Sequence, residues 1–260
     1  MTKRKTLTHD IIVQSIVNAL KPLDYVHAFY EGGAAAFNRV DEWSDIDLYL
    51  VVDDEKVEET FQAVEKALKS LSPIKRKLRT PQLPWPGISQ TFYKLENASE
   101  YLLIDLAVLR LSAPEKFLQP EIHGNVVILF SKNDKVKPAP FDEEAFSKKL
   151  QGRLEMMQAR FEMFNNFVQK EINRGNYLEA IEWYHAFTLA MLVEALRIKH
   201  SPIHYDFRMR YIHYELPLKT IKKLEYLYFI RDAKDLQEKY HKATVWFQET
   251  MSKINPNKRA

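Results

Sequence analysis

Hydrophobic positions divide the chain into two stretches with different periods. Ile12, Ile16, Val17 and Leu20 share one face of a short helix over residues 8–20. Residues 25–30 and 46–52 (IDLYLVV) are apolar runs of strand length, the first leading into Gly32-Gly33. Val57, Phe61, Val64, Leu68 and Leu71 recur at steps of 4, 3, 4 and 3, which predicts a helix. Residues 73–88 hold Pro73, Pro81, Pro84 and Pro86 and are predicted to be loop. The segments 88–95 (ISQTFYKL), 101–109 (YLLIDLAVL) and 125–130 (NVVILF) predict three further strands, with the turn-like ENAS joining the first two.

The period then changes. The charged, proline-containing run KNDKVKPAPFDEE marks a domain boundary, with residues 1–140 on one side and 141–260 on the other. Leu150, Leu154, Met157, Phe161, Phe164, Val168 and Ile172 follow at helical steps and predict one long helix ended by Gly175-Asn176. Residues 177–199 are apolar on more than one side, which predicts a central helix, and 218–232 and 234–254 add two more. The expected class is a mixed α/β (α+β) N-terminal domain followed by an all-α helical bundle.

Composition narrows the class of protein. Of the 260 residues, 46% are hydrophobic and 28% charged, the range of globular domains. Thirty-eight Lys and Arg against 35 Asp and Glu leave a net charge of +3, too mild for the concentrated basic face of a duplex nucleic-acid binder. There is no Cys, which excludes disulfides and thiolate metal sites and fits a reducing cytoplasm. No apolar run reaches the ~18 residues of a membrane span. The basic start MTKRKTLTHD leads into an amphipathic segment, not the apolar core of a signal peptide. The expectation is a cytoplasmic protein without a membrane partner.

Candidate chemistry concentrates in EGGAAAFNRVDEWSDIDLYLVV, residues 31–52. Two of only six glycines are adjacent here, and Asp45 and Asp47 open an otherwise apolar strand. Alternation puts both carboxylates on one face, with Cα atoms roughly 6.5–7 Å apart. Ile46, Leu48, Leu50 and Val52 take the other face. Paired carboxylates suit a hard cation such as Mg²⁺, which completes its shell with water and phosphate oxygens. Two such ions ~3.5–4 Å apart can clamp the attacking and leaving oxygens of a phosphoryl-type transfer. Asp105, alone in LLIDLAVL, is the candidate third acid. Gly32 and Gly33 would let backbone amides approach phosphate oxygens. Ser44 would cap the start of the strand or donate to a phosphate. The plainer alternatives are a turn cap for Asp45 and Asp47, a salt-bridged Asp105, and a solvated loop charge for Arg39.

This order of features (strand, Gly-Gly, a loop, Asp-x-Asp, a lone acid on a later strand) resembles the nucleotidyltransferase superfamily related to DNA polymerase beta. DEWSDIDLYLVV is similar to the bacterial antibiotic nucleotidyltransferases that act on aminoglycosides and lincosamides. The resemblance covers about residues 29–108. It implies a catalytic domain with a mixed, mostly antiparallel sheet over residues 1–140 and a helical substrate-binding domain over 141–260. It implies that Gly32 and Gly33 hold the triphosphate of a nucleotide, ATP first among them. Asp45, Asp47 and Asp105 would be the catalytic acids and the ligands of two Mg²⁺ ions, Asp105 doubling as general base. The implied reaction moves a nucleoside monophosphate from the triphosphate to a hydroxyl of a small molecule, and pyrophosphate leaves.

The helical half offers softer candidates. In RIKHSPIHYDFRMRYIHYELP (197–217), Arg197, Lys199, Arg208 and Arg210 are placed to reach a triphosphate, and Tyr205, Phe207 and Tyr211 to stack on a base or pack an interface. The plain alternative is a helix connection with solvated charges. His185 reads as a core histidine, the Met and Phe stripe at 154–168 as core, and Glu182 as an acid that could meet a cationic acceptor. Arg39, Ser44, Lys199 and Arg210 complete the nucleotide-binding candidates. Transfer onto RNA or protein, a toxin-neutralising module and a non-catalytic interaction protein of the same fold remain alternatives. A homodimer is compatible with the sequence.

Overall fold

The computed structural model describes residues 7–81, 83–132, 135–138 and 140–254. Two compact units, Met1–Phe141 and Asp142–Ala260, divide the chain.

The first unit runs α1 (His9–Leu20), β1 (Val26–Glu31), a single turn α2 (Gly33–Ala36), β2 (Ile46–Val52), α3 (Val57–Leu71), β3 (Ile74–Arg79), β4 (Ile88–Leu95), β5 (Ile104–Arg110), a single turn α4 (Pro120–His123) and β6 (Val127–Ser131). The strands form one mixed sheet in the order β3-β4-β5-β2-β1-β6. Only β2 and β5 are parallel; the other pairs are antiparallel. Period-2 alternation sends Ile46, Leu48, Leu50, Ile104, Leu106 and Val108 to one face, where they pack with Ile12, Ile16 and Leu20 of α1 and Val64 and Leu68 of α3. Each such fully buried aliphatic side chain contributes roughly 1.5–3 kcal/mol. Tyr30, Val51, Ala107 and Leu109 point the other way and meet Ala113 and Leu118 in a smaller layer. Asp47 and Asp105 share the parity of this second face.

Residues 74–79, predicted as loop, are instead the edge strand β3, paired only with β4. IKRKLR carries no alternation because an edge strand with Leu78 at 65% exposure buries little, and its Lys and Arg discourage pairing with other chains.

The second unit is helical: α5 (Glu143–Phe164), α6 (Phe167–Arg174), α7 (Tyr177–Trp183), a π turn over Tyr184–Leu189, α8 (Ala190–His200), a single turn α9 (Ile212–Glu215), α10 (Leu218–Tyr228) and α11 (Ala233–Met251). Met157, Phe161, Tyr184, Leu192, Leu196, Leu236 and Phe247 form its core. Most of α8 is buried, as its all-round apolar pattern predicts. The helix predicted through Ile172 breaks after Phe164. Buried Asn165 donates to Tyr240 Oη (3.2 Å) and Thr244 Oγ1 (3.0 Å), accepts from Thr188 Oγ1 (2.7 Å), and gives its carbonyl to the Tyr240 hydroxyl (3.1 Å). Those tertiary bonds replace helical ones and account for the break. Among the described residues, no helix is long and apolar enough to cross a membrane.

Candidate active site

Asp47 and Asp105 are register partners in the parallel β2–β5 pair, so their side chains lie side by side on the same face. Asp45 is exposed, just before β2. Asp105 is half-buried. Gln90 of β4 donates to both its oxygens, at 2.8 and 3.0 Å from Nε2. Burial pushes the Asp105 carboxyl up to about 6. The Gln90 hydrogen bonds act against that, and the neighbouring charges of Asp47 and then Asp45 add to it. The three acids are therefore within electrostatic reach of one another.

The glycines are explained first by β2. The Gly32 amide donates to the Asp47 carbonyl at 2.9 Å. Gly33 has φ +54°, and a Cβ there would stand 1.7 Å from Asp47 Oδ2. A Cβ on Gly32 would stand 2.7 Å from the Tyr49 ring. Both positions need glycine because β1 turns tightly against the acidic strand. Since the Gly32 amide is engaged, the cradle expected of it lacks that donor. Ser44 is likewise committed: its hydroxyl donates to Asp41 Oδ1 and accepts from the Asp41 amide, both at 2.9 Å. That is the geometry of a turn cap. Arg39 is half-buried, with its guanidinium 5.2 Å from the Phe37 ring centroid.

The donor set, three carboxylates with an amide beside them, has the chemistry for a hard divalent cation. Yet among the described residues no three Asp, Glu or His side chains are gathered closely enough to form a ready-made metal site. Gln90 holds Asp105, and Asp45 stands at the open end of the strand.

Beside the acids lies an aromatic layer that the sequence reading missed. Tyr49 stacks on Tyr30 (5.5 Å between centroids, 6° between planes) and meets Phe117 at 5.6 Å, and Phe117 meets Trp85 and His123 at 5.3 Å each. Gln90 was missed too. Its only signal was its parity in ISQTFYKL, which places it on the face of Asp105.

In the helical unit, Lys199 and Arg210 are exposed, Arg210 lying 4.6 Å from the Phe207 ring centroid. Arg197 does not reach a triphosphate, because no part of it is exposed. It pairs with Glu215 (2.6 Å) and donates to the carbonyls of Arg208 (2.6 Å) and Arg210. Tyr205 is buried, and Phe207 stacks on His204 at 4.3 Å. His185 bonds through Nε2 to the Tyr228 carbonyl (3.0 Å), and Glu182 is exposed.

No family model and no curated protein matches the chain. Two solved structures align along nearly its whole length. One is an aminoglycoside 6-adenyltransferase from Bacillus subtilis: 12% identity, 95% of this chain, 90% of that one, TM-score 0.37. The other is a spectinomycin adenyltransferase from Enterococcus faecialis, solved with ATP and spectinomycin: 9% identity, 95% of this chain, 99% of that one, TM-score 0.36. Both are nucleotidyltransferases by name.

Proposed function

We propose that this chain is a nucleotidyltransferase that uses Mg²⁺ to move a nucleoside monophosphate from a nucleoside triphosphate, ATP first among them, to a hydroxyl of a small molecule. The observation that supports it is the pairing of Asp47 with Asp105 across two parallel strands, Asp45 at the mouth and Gly33 packed on Asp47. Asp45 and Asp47 would hold the metal, with Asp105 completing the set. Bound Mg²⁺ would supply neutralisation of the phosphate charge.

The chain's own groups would then act as follows. Asp105 accepts the proton of the acceptor hydroxyl. The hydroxyl oxygen bonds to the α-phosphorus, the bond from that phosphorus to the bridging oxygen breaks, and pyrophosphate departs. Gln90 holds the Asp105 carboxylate in a fixed plane. Arg39 is the cation of this unit offered to the triphosphate. Positioning and charge stabilisation supply most of the rate.

The lack of a gathered three-acid set among the described residues favours a second reading, a nucleotide-binding protein that does not transfer. One experiment separates the two. ATP and GTP with Mg²⁺ are incubated with a panel of hydroxylated antibiotics and metabolites, and products are read by mass spectrometry. The transfer reading expects a nucleotidylated product that falls about 10²–10³-fold in Asp45→Asn and Asp47→Asn with unchanged far-UV circular dichroism. Full activity in either variant refutes it. No product, together with Mg²⁺-dependent ATP binding by calorimetry, selects the second reading.

A further inference from the structure

The helical unit contains a cavity of about 660 Å³, within the range that small-molecule sites occupy. All of its lining comes from that unit, so nothing about it depends on nucleotide transfer. Phe187, Met191 and Tyr228 supply apolar wall.

Its charges are unevenly matched. Arg153 and Glu194 satisfy each other in a two-pronged pair, with Nη2 to Oε2 at 2.7 Å and Nε to Oε1. They cancel, and hold α5 to α8. Arg160, Arg208 and Asp206 also line the cavity. Among the described residues none of these three has an ion-pair partner. Two cations thus face one acid. Burial pushes the Tyr228 hydroxyl up to about 12, and the Arg208 charge acts against that, so the guanidinium is within reach of the Tyr228 wall.

Two departures from regular backbone build this cavity. Arg208 has φ +53°, a left-handed conformation that costs a side-chain-bearing residue energy. Arg197, entirely buried, holds that turn by donating to the carbonyls of Arg208 and Arg210. The π turn over Tyr184–Leu189 adds His185, Ala186 and Phe187 to the lining, and His185 is fixed by the Tyr228 carbonyl. Single π turns inside helices recur at functional sites.

We propose that this cavity binds a small molecule with an aromatic body and an anionic group, a carboxylate or a phosphate. Arg160 and Arg208 take the anion, and the apolar wall takes the ring. A polycationic ligand would meet an excess of arginine here.

The test uses the full chain labelled with ¹³C at the methionine methyls, because Met191 and Met209 line the cavity. Phenyl phosphate, benzoate, benzyl alcohol and benzylamine are titrated separately. The proposal expects saturable shifts of both methyls with phenyl phosphate or benzoate, at a dissociation constant of order 1 mM for ligands of this size. The tighter of the two anions identifies phosphate or carboxylate as the group recognised. Benzyl alcohol and benzylamine should bind at least about tenfold more weakly, one charge-assisted contact accounting for that factor. The double variant Arg160→Gln/Arg208→Gln should erase the difference. Both residues are exposed, and the buried Met157 methyl reports on the fold. Benzylamine or benzyl alcohol binding as tightly as the anions, undiminished anion binding by the folded double variant, or no shift with either anion at about 10 mM would overturn the assignment.

Discussion

Replacing Gly33 with alanine tests how the acidic strand is held. Gly33 has φ +54°, and alanine in the left-handed region costs about 1–2 kcal/mol. Stiffening the unfolded chain returns roughly 0.4–1 kcal/mol. The new methyl would lie 1.7 Å from Asp47 Oδ2, 2.5 Å from Cγ and 2.9 Å from Cβ. Rotation about Cα–Cβ moves the first two atoms and leaves the third, so backbone must shift, at the roughly 1–3 kcal/mol of an overpacked site. The total is about 2–4 kcal/mol. Gly175 is the control: φ is +76°, but nothing lies within 4 Å, so alanine there meets only the backbone cost of about 1 kcal/mol. Urea unfolding followed by far-UV circular dichroism measures both. Asp47→Ala in the Gly33→Ala background removes the two nearest atoms and should recover about 1 kcal/mol, read as a coupling energy in a double-mutant cycle. A Gly33→Ala loss no larger than that of Gly175→Ala would show that Asp47 is not packed against the turn, and the local account of the glycines would fail.

Two further outcomes follow from buried charge. The Asp105 carboxyl is raised from 3.8 to about 6, first by burial and then by Asp47, so the stability it contributes is complete below about pH 4 and is lost as pH rises through about 6. The stability of the metal-free protein relative to its Asp105→Asn variant should fall as pH rises over that window, and ¹³C titration should show the Asp105 pKa falling in Asp47→Asn; a pH-independent difference refutes the raised carboxyl, and an unmoved pKa refutes the coupling. Arg197→Met removes the guanidinium from buried Glu215, which keeps its contact with His204 Nδ1 (3.0 Å), and takes the donor from the Arg208 and Arg210 carbonyls; it should cost about 3–5 kcal/mol in denaturant unfolding; a loss under about 1 kcal/mol would mean that the His204 contact is enough to hold Glu215.

Legibility followed burial. Strands β1, β2, β4 and β5 and helices α1 and α3 bury one stripe or both faces, so their apolar periods stand out in the chain; β6, an edge strand that buries little beyond Phe130, stood out by its apolar run alone. β3 does not, because an edge strand with most side chains in water has no period to show. Asp47 and Asp105 were legible for the opposite reason, as charges inside apolar runs. Gln90 was not, since an amide in an alternating strand looks like any surface residue. Arg197 misled: in a run of cations it reads as one more ligand for phosphate. Its burial depends on Glu215 and on carbonyls many residues downstream, which no local pattern encodes. The cavity assembles α5, the π turn, α8, the 206–209 turn and Tyr228, and its charges are ordinary surface residues until they are brought together.

The adjacent glycines have a reason other than the phosphate cradle expected of them. A chain with few glycines spends two together only where side chains cannot fit. The structure locates that crowding at Asp47 and Tyr49, within the protein itself. The turn after β1 is pressed onto β2, one amide is fixed to the Asp47 carbonyl, and the Asp47 carboxylate occupies the volume a Cβ would need. The Asp47 carboxylate is closed in on its glycine side, and across the parallel pair its charge helps to raise the Asp105 carboxyl. The strength of that coupling, read as the Asp105 pKa with and without the Asp47 charge, is the quantity on which the cation-binding reading stands.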